Sequence, residues 1–313
     1  MVSALKIQQI ATKEEFRYLC QTDNYLAAGD LSRRLALNIF LLTGMVGFFE
    51  YSALASAIFW YMYAVQLHFW GAAGLGHEAF HSKVFSSKKL NKILYACCSA
   101  VTWQNSEMFA SSHSIHHSKT FSKDDHEAHS ETRWNILDVI FYITFDVRSF
   151  FRRTYFSCIN SIGLYPNLIR IKNEKVINAA RITVAFNLCF LLLIFLITES
   201  LVITLMSFIA PFCGALLNKI LAKSQHHGLS NERLNGPLAH TRTLKLPPFL
   251  SFLYANMNYH AEHHLAPSIP YYNLPKLHDK MVKNKLITPL SLIQFLKYWW
   301  LTSREQKGSY MKP

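Results

Sequence analysis

Two long stretches of the chain contain almost no charge, and they limit its possible folds more than any other feature. Residues 35–76 and 182–218 contain no lysine or arginine, and each holds one carboxylate, Glu50 or Glu199. A helix needs about 20 apolar residues to cross a bilayer, and each stretch is roughly twice that long. The sequence therefore predicts two hairpins of transmembrane helices, 35–49 with 51–73 and 182–198 with 201–218.

A buried helical hairpin in a large soluble protein is the alternative for each stretch. Uncharged runs of this length are more typical of membrane spans, so we favour the membrane.

The positions of the basic residues predict an orientation in the membrane. The chain has 32 lysines and arginines and a net charge of +13, yet neither hairpin nor its turn contains one. Two hairpins return the chain to its starting side, and basic residues accumulate on the cytosolic side of membranes. We therefore expect a multi-pass protein with both termini in the cytosol. The charge is then explained without nucleic acid, and no nucleic-acid partner is expected.

The expected fold is an all-α integral membrane protein with four transmembrane helices and a cytosolic helical cap. We expect a single domain over 1–313, divided into an N-terminal segment 1–34, hairpin 35–73, loop 74–181, hairpin 182–218 and C-terminal region 219–313.

Eight of the 15 histidines fall into three short motifs in the predicted cytosolic regions. On a helix, positions i, i+3 and i+4 share one face, so each motif presents its imidazoles together. Imidazole is the commonest metal ligand in proteins. The motifs are His77-Glu78-Ala79-Phe80-His81 (motif 1), His113-Ser114-Ile115-His116-His117 (motif 2) and His260-Ala261-Glu262-His263-His264 (motif 3).

A fourth fragment, Ser224-Gln225-His226-His227-Gly228, adds to this pool. A zinc site uses three or four protein ligands, so eight or nine imidazoles indicate two metal ions. Iron, copper, nickel and zinc all bind imidazole, so ligand chemistry alone leaves the metal open. His68, within a predicted span, is expected to be a buried histidine and not a ligand. The remaining candidates are expected at the surface or beside the ligands: His126, His129, His240 and His278.

The three motifs resemble the histidine boxes of the membrane fatty acid desaturase and hydroxylase superfamily. The resemblance runs from about residue 35 to 285, and its C-terminal part is similar to acyl-lipid desaturases. It is carried by Gly76 to His81, Arg148 to Arg153, His240 to Thr243, Asn256 to Pro270 and Leu274 to His278.

The resemblance implies a non-haem di-iron centre within a membrane desaturase domain. The ninth ligand would be His226, which matches the family's Ala-Glu-His-x-Gly fragment. That fragment reads Ser-Gln-His-His-Gly here, so His227 stays an alternative. The implied iron ligands are His77, His81, His113, His116, His117, His226, His260, His263 and His264. Glu78, Asp124, Asp125, Glu262 and His227 are expected to support these ligands through hydrogen bonds, and Glu262 has a solvated carboxylate as its alternative.

The family also implies an activity. We expect a desaturase that uses O2 as co-substrate and introduces a double bond into an acyl lipid or acyl thioester. A hydroxylase of the same superfamily, or a desaturase of a carotenoid or of a small amino-acid-derived compound, is the alternative. Outside this class, the alternative is a non-catalytic, histidine-rich metal or haem membrane protein. Aromatic residues near the motifs are candidates for the lining of a substrate channel, with core or interfacial positions as the commoner alternative: Trp70, Phe80, Trp103, Phe109 and Tyr259.

Electrons would come from a separate ferredoxin, rubredoxin or cytochrome b5, since the chain has no His-Pro-Gly-Gly haem signature. Such carriers are usually acidic. A basic patch is expected either to dock the carrier or to bind anionic lipid headgroups. It comprises Arg148, Arg152, Arg153, Arg170, Lys172 and Lys175.

Overall fold

The computed structural model describes residues 10–127, 134–164, 174–229 and 237–309, with side chains as far as residue 302. The described part is mostly helical, as predicted. Its α-helices are α1 Lys13–Leu19, α2 Asn24–Phe48, α3 Ala53–Leu67, α4 Leu75–Phe80, α5 Lys88–Val101, α6 Ser106–Lys119, α7 Ile136–Ile143, α8 Val147–Ser161, α9 Glu174–Thr198, α10 Leu201–Ile209, α11 Leu216–Ser224, α12 Pro237–His240, α13 Pro248–Leu253, α14 His260–Leu265, α15 Leu274–Lys283 and α16 Leu292–Ser309.

Strand structure in these residues is limited to one short pair, which the sequence did not predict. β1, Leu244–Lys245, pairs in parallel with β2, Leu290–Ser291, and Leu244 lies opposite Leu290. Short 3-10 turns occur at His68–Trp70, Ala210–Phe212 and Tyr271–Asn273.

The helices of both predicted hairpins change direction where the sequence places their single carboxylates. After α2 the chain turns at Phe49 to Ser52, and the Ser52 hydroxyl accepts a hydrogen bond from Ala55 N at the start of α3. After α9, Glu199 takes a left-handed backbone conformation with φ of 48°. Ser200 then caps α10 by accepting a hydrogen bond from Ile203 N. These hydroxyls satisfy N–H groups that a helix leaves unpaired at its start.

Two helical stretches are long and apolar enough to cross a bilayer: Lys13–Phe48, which contains α2, and Glu174–Thr198, which is α9. Both begin well before the predicted spans. α2 can include charged residues in its earlier turns because Asp30 and Arg34 form a buried ion pair there, with 2.7 Å between Arg34 Nε and Asp30 Oδ2. Much of α9 exposes large apolar side chains, including Leu196 at 65%.

The return arms of both hairpins are shorter than predicted. α3 has 15 residues and ends at Leu67, and α10 has nine residues and ends at Ile209. The helix stops soon after Ile209 because Pro211 has no N–H to continue it. Four complete spans therefore remain a prediction, whereas two long apolar helices are observed.

Close contact between α2 and α3 depends on a glycine. A Cβ at Gly44 would collide with the ring of Phe59, so only glycine leaves room for this ring. Phe59 also packs on Phe40 and Phe48 of α2, with ring centroids 5.6 Å away in both cases.

The chain divides into two compact units. One comprises residues 1–22, 112–134 and 220–313, and contains motifs 2 and 3 together with His226. The other comprises residues 23–111 and 135–219, and contains both hairpins and motif 1. In the first unit, Leu274, Leu277 and Met281 of α15 are fully buried in the core.

Candidate metal centre

Motif 2 lies on α6, and two carboxylates from the following loop orient its imidazoles. His113 Nδ1 lies 2.9 Å from Glu127 Oε2. His116 Nδ1 lies 3.1 Å from both carboxylate oxygens of Asp125, a fully buried residue. Asp125 is itself held by a hydrogen bond from Phe121 N at 2.8 Å. A carboxylate on Nδ1 directs Nε2 outward as the metal-binding atom.

Motif 3 forms the short helix α14, which starts directly after an antiparallel bridge between Thr243 and Tyr259. All three of its histidines are buried. His264 Nε2 is inaccessible to solvent and has no hydrogen-bond partner among the described residues. A buried ring nitrogen without a partner is destabilising unless something binds it, and a metal ion would do so.

In the fourth fragment, His226 and not His227 lies against the histidines of motif 3. His226 Nδ1 donates to the His240 carbonyl at 2.7 Å, and its Nε2 faces His260 Nε2 at 2.9 Å. His227 points elsewhere, with Nε2 3.3 Å from Thr302 Oγ1 and its ring near Trp299. The sequence left these neighbours as alternatives, and the geometry distinguishes them because adjacent side chains diverge on a helical turn.

Two groups of histidines result within the first unit. The four-histidine cluster comprises His116, His226, His260 and His264, all buried, with ligand atoms within 4.8 Å of one another. The three-histidine cluster comprises His113, His117 and His263, whose ligand atoms also lie within 4.8 Å. The rings of His117 and His264 stack at 4.3 Å between centroids, so the two clusters are adjacent.

The chemistry of both clusters fits bound metal ions. The nitrogen pairs His226–His260 and His117–His263 face each other at 2.9 and 3.2 Å. Two imidazole nitrogens that bind the same metal ion at about 2.0–2.1 Å lie at similar distances from each other. Burial lowers the pKa of His226 to about 3 and the pKa values of His260 and His264 well below the usual 6.5. These imidazoles are therefore neutral at physiological pH, as metal ligation requires.

Motif 1 lies in the second unit, on α4 and on the residue that follows this helix, His81. The rings of His77 and His81 are 5.4 Å apart. His77 Nδ1 lies 3.2 Å from the Ala72 carbonyl, which orients this ring. Burial lowers the pKa of His81 to about 4. It raises the pKa of Glu78 to about 8, so this carboxyl is largely protonated at neutral pH.

The expected supporting carboxylates differ in position. Asp124 is exposed, and its neighbour Asp125 is the residue that reaches His116. Glu262 is fully buried, but its partners are Thr243 and His278 and not a candidate metal ligand. One carboxylate oxygen accepts a hydrogen bond from Thr243 Oγ1 at 2.5 Å, and the other lies 2.6 Å from His278 Nδ1. The solvated alternative for Glu262 is wrong.

Sequence reasoning missed Glu127 and the pairing of His278 with Glu262. The acidic residues that follow motif 2 in the sequence indicated supporting carboxylates nearby. Their spacing did not indicate which of them faces the histidines. His68 is half-buried, and its Nε2 lies 2.8 Å from the Cys213 carbonyl, as expected for a structural histidine. His126 is exposed, and His129 lies outside the described residues.

The expected basic patch is not one uniform surface. Arg148 forms an ion pair with Asp138 at 2.7 Å, and Arg153 donates to the Thr102 carbonyl at 2.9 Å. Lys175 is exposed. Arg170 and Lys172 lie outside the described residues.

The family model described as fatty acid desaturase matches residues 31–288 of the chain, more than four fifths of its length. No curated protein matches the chain.

Proposed function

The chain belongs to the fatty acid desaturase family, and from that premise we propose that it uses O2 to introduce a double bond into a fatty acyl chain. It is an enzyme of this family with a histidine-rich site for two metal ions. We propose iron as the metal in both positions. The substrate in this proposal is an acyl lipid or acyl thioester.

The division of the histidines into two adjacent clusters carries the proposal. A structural zinc site or a single haem would need one ion and far fewer imidazoles. When bound, a di-iron centre supplies an oxidant strong enough to attack an unactivated methylene. We propose His113, His116, His117, His226, His260, His263 and His264 as ligands on this geometry. His77 and His81 are proposed on their match to motif 1 of the family.

The chain's own residues have three tasks in this proposal. The imidazoles hold the metal ions, Asp125 and Glu127 fix the orientation of two of them, and burial keeps bulk water from the site. An apolar cavity of about 170 Å³ lies among α2, α3, α9 and α10, with Leu35, Leu67, Trp70 and Phe190 in its lining. We propose that part of the acyl chain occupies this cavity.

Iron content and product mass test the proposal together. The purified chain should contain two irons, and a single zinc or a haem absorption band would contradict the assignment. Expression in a host with a simple lipid profile should yield acyl chains lighter by two hydrogens. A gain of one oxygen would instead indicate the hydroxylase, and unchanged lipids would indicate a small-molecule substrate.

Electron supply is proposed to come from a separate ferredoxin, rubredoxin or cytochrome b5. Turnover by the purified, iron-loaded enzyme should then need one of these carriers. Equal turnover with no carrier would contradict this part of the proposal.

A further inference from the structure

The histidine that comes from the fourth fragment, His226, lies in a turn and not on a regular helix. The turn spans residues 225–228 and directly follows α11, which ends at Ser224. Gly228 closes it with a left-handed backbone, at φ of 69°. A helix leaves its last carbonyl groups without donors of its own, so they need donors from elsewhere in the chain. The position of His226 therefore depends on the groups that bind these carbonyls.

Arg242 binds this turn at three points. Its backbone N donates to the Gln225 carbonyl at 2.9 Å. Its guanidinium donates through Nη1 to the Ser224 carbonyl at 2.8 Å and through Nη2 to the His227 carbonyl at 3.1 Å. Arginine suits this task because its planar group presents several donors in fixed directions. The chain is thus held on both sides of His226.

The same short segment also orients the imidazole ring. The carbonyl of His240, two positions before Arg242, accepts from His226 Nδ1 at 2.7 Å. The other ring nitrogen, Nε2, faces His260 in the four-histidine cluster. Groups that bind the outer nitrogen of an imidazole determine where its metal-binding nitrogen points. Residues 240–242 therefore set both the backbone and the ring of His226.

Two aromatic residues of α16 hold Arg242 in place. The centre of its guanidinium lies 5.1 Å from the ring centroid of Tyr298 and 5.5 Å from that of Phe295, which is fully buried. A cation over an aromatic face is attracted at such distances. The Tyr298 hydroxyl also donates to the Gly228 carbonyl at 3.0 Å. A Cβ at Gly228 would collide with this hydroxyl, so glycine allows the close approach.

These bonds complete the pairing of the turn. The His226 carbonyl accepts from Leu229 N at 3.1 Å, so each of the five carbonyls of residues 224–228 has a donor. Four of the five donor groups belong to Arg242 and Tyr298. A carbonyl that loses its donor must find another, so the turn would move if either side chain were removed.

We propose that Arg242 is a positioning residue for the metal centre. It holds the turn that directs His226 Nε2 into the four-histidine cluster, and Phe295 and Tyr298 of α16 hold Arg242. This inference rests on the proposed function, since it requires a metal ion in that cluster. It gives the C-terminal helix a role in metal binding.

Co²⁺ binding to the purified, metal-free protein in a non-ionic detergent tests the inference without turnover, because visible absorption reports the ligands around this ion. Arg242→Met should weaken binding about 10- to 100-fold, the usual effect of losing a residue that supports a ligand. Its spectrum should change in the same way as that of His226→Ala. Arg242→Lys keeps the charge without the fork and should recover part of the affinity. Tyr298→Phe keeps the ring and should lose less than Arg242→Met.

A double-mutant cycle separates positioning from a general structural role. In the His226→Ala protein, Arg242→Met should cause little further loss of Co²⁺ affinity, because Arg242 acts through His226. Losses that simply add would overturn the inference. Lys297→Gln is the matched control, since it removes an exposed positive charge from α16, and it should bind Co²⁺ like the parent.

The remaining outcomes distinguish this inference from the proposed function. A parent that binds two Co²⁺ ions, together with an Arg242→Met variant of equal affinity and unchanged spectrum, would overturn the inference alone. A parent that binds no Co²⁺ would contradict the metal centre and this inference with it. Arg242→Lys provides the same comparison should Arg242→Met fail to fold.

Discussion

Among single residues, Asp125 has the clearest supporting role in the metal centre. Asp125→Asn removes the charge that orients His116 but keeps the side-chain size. We expect about 10- to 100-fold weaker binding of metal to the purified chain, since loss of an outer carboxylate typically has this effect. Metal retention against a graded series of chelator concentrations measures it.

Asp124 provides the control for Asp125, as the adjacent residue with the same side chain in an exposed position. Asp124→Asn should retain metal like the parent. Equal metal loss in the two variants would show that the loop, and not the hydrogen bond to His116, determines affinity.

At this scale the sequence indicated which histidines come together, but not which side chains hold their rings in place. The i, i+3, i+4 spacing depends only on helix geometry, so motifs 2 and 3 could be identified before folding was considered. The pairing of Glu262 with His278 joins residues 16 positions apart on different helices. The choice between Asp124 and Asp125 depends on a loop that contains a left-handed residue, Phe121, at φ of 61°. Neither feature has a local pattern in the sequence.

At the scale of elements, the contact between α2 and α3 can be tested at Gly44. Gly44→Ala places a methyl group in the position of the Phe59 ring, and overpacking of this kind typically lowers the free energy of unfolding by about 1–3 kcal/mol. Thermal unfolding in detergent measures the change. Adding Phe59→Ala should recover much of the loss, because the two side chains then no longer collide. Simple additivity of the two losses would contradict this interpretation.

Helix α7 should lose stability in acid, because the carboxylate of Asp138 in its first turn becomes protonated. Asp138 has a pKa below its usual value, lowered first by a hydrogen bond from the Asn135 backbone and then by Arg148. A lowered carboxyl pKa contributes stability above about pH 3.9 that is lost as the pH falls below it. Asp138→Asn should therefore be less stable than the parent at pH 7, by about 1 kcal/mol.

This difference between the parent and Asp138→Asn should shrink below about pH 3.9. Thermal unfolding of the two proteins over a pH series measures it. A difference that does not change with pH would mean that the capping geometry alone, and not the charge, stabilises α7.

The positions of the helix breaks were predictable, and the lengths of the return arms were not. Glu50 and Glu199 mark both turns because an isolated charge in an apolar run belongs at a water interface. The early end of α10 follows from Pro211 and from the left-handed Gly214, at φ of 71°, but apolar content alone suggested a longer helix.

For the whole molecule, we predict that both hairpin turns lie on the non-cytosolic side. In a cysteine-free variant, Glu50→Cys and Glu199→Cys should react with a membrane-impermeant maleimide applied to intact cells. Lys283→Cys, an exposed position in the C-terminal region, should react only after the membrane is opened. Labelling of Lys283→Cys in intact cells would contradict the predicted topology.

The way the two clusters share their helices has a consequence for how metal is taken up. α6 contributes His113 and His117 to one cluster and His116 to the other, and α14 likewise divides His263 from His260 and His264. We therefore expect that an ion bound in one cluster would order both helices and prepare the other cluster for its own ion. Uptake should be cooperative: a titration with Fe²⁺ should pass from empty to doubly loaded protein with few singly loaded molecules, and the enzyme should lose both ions together.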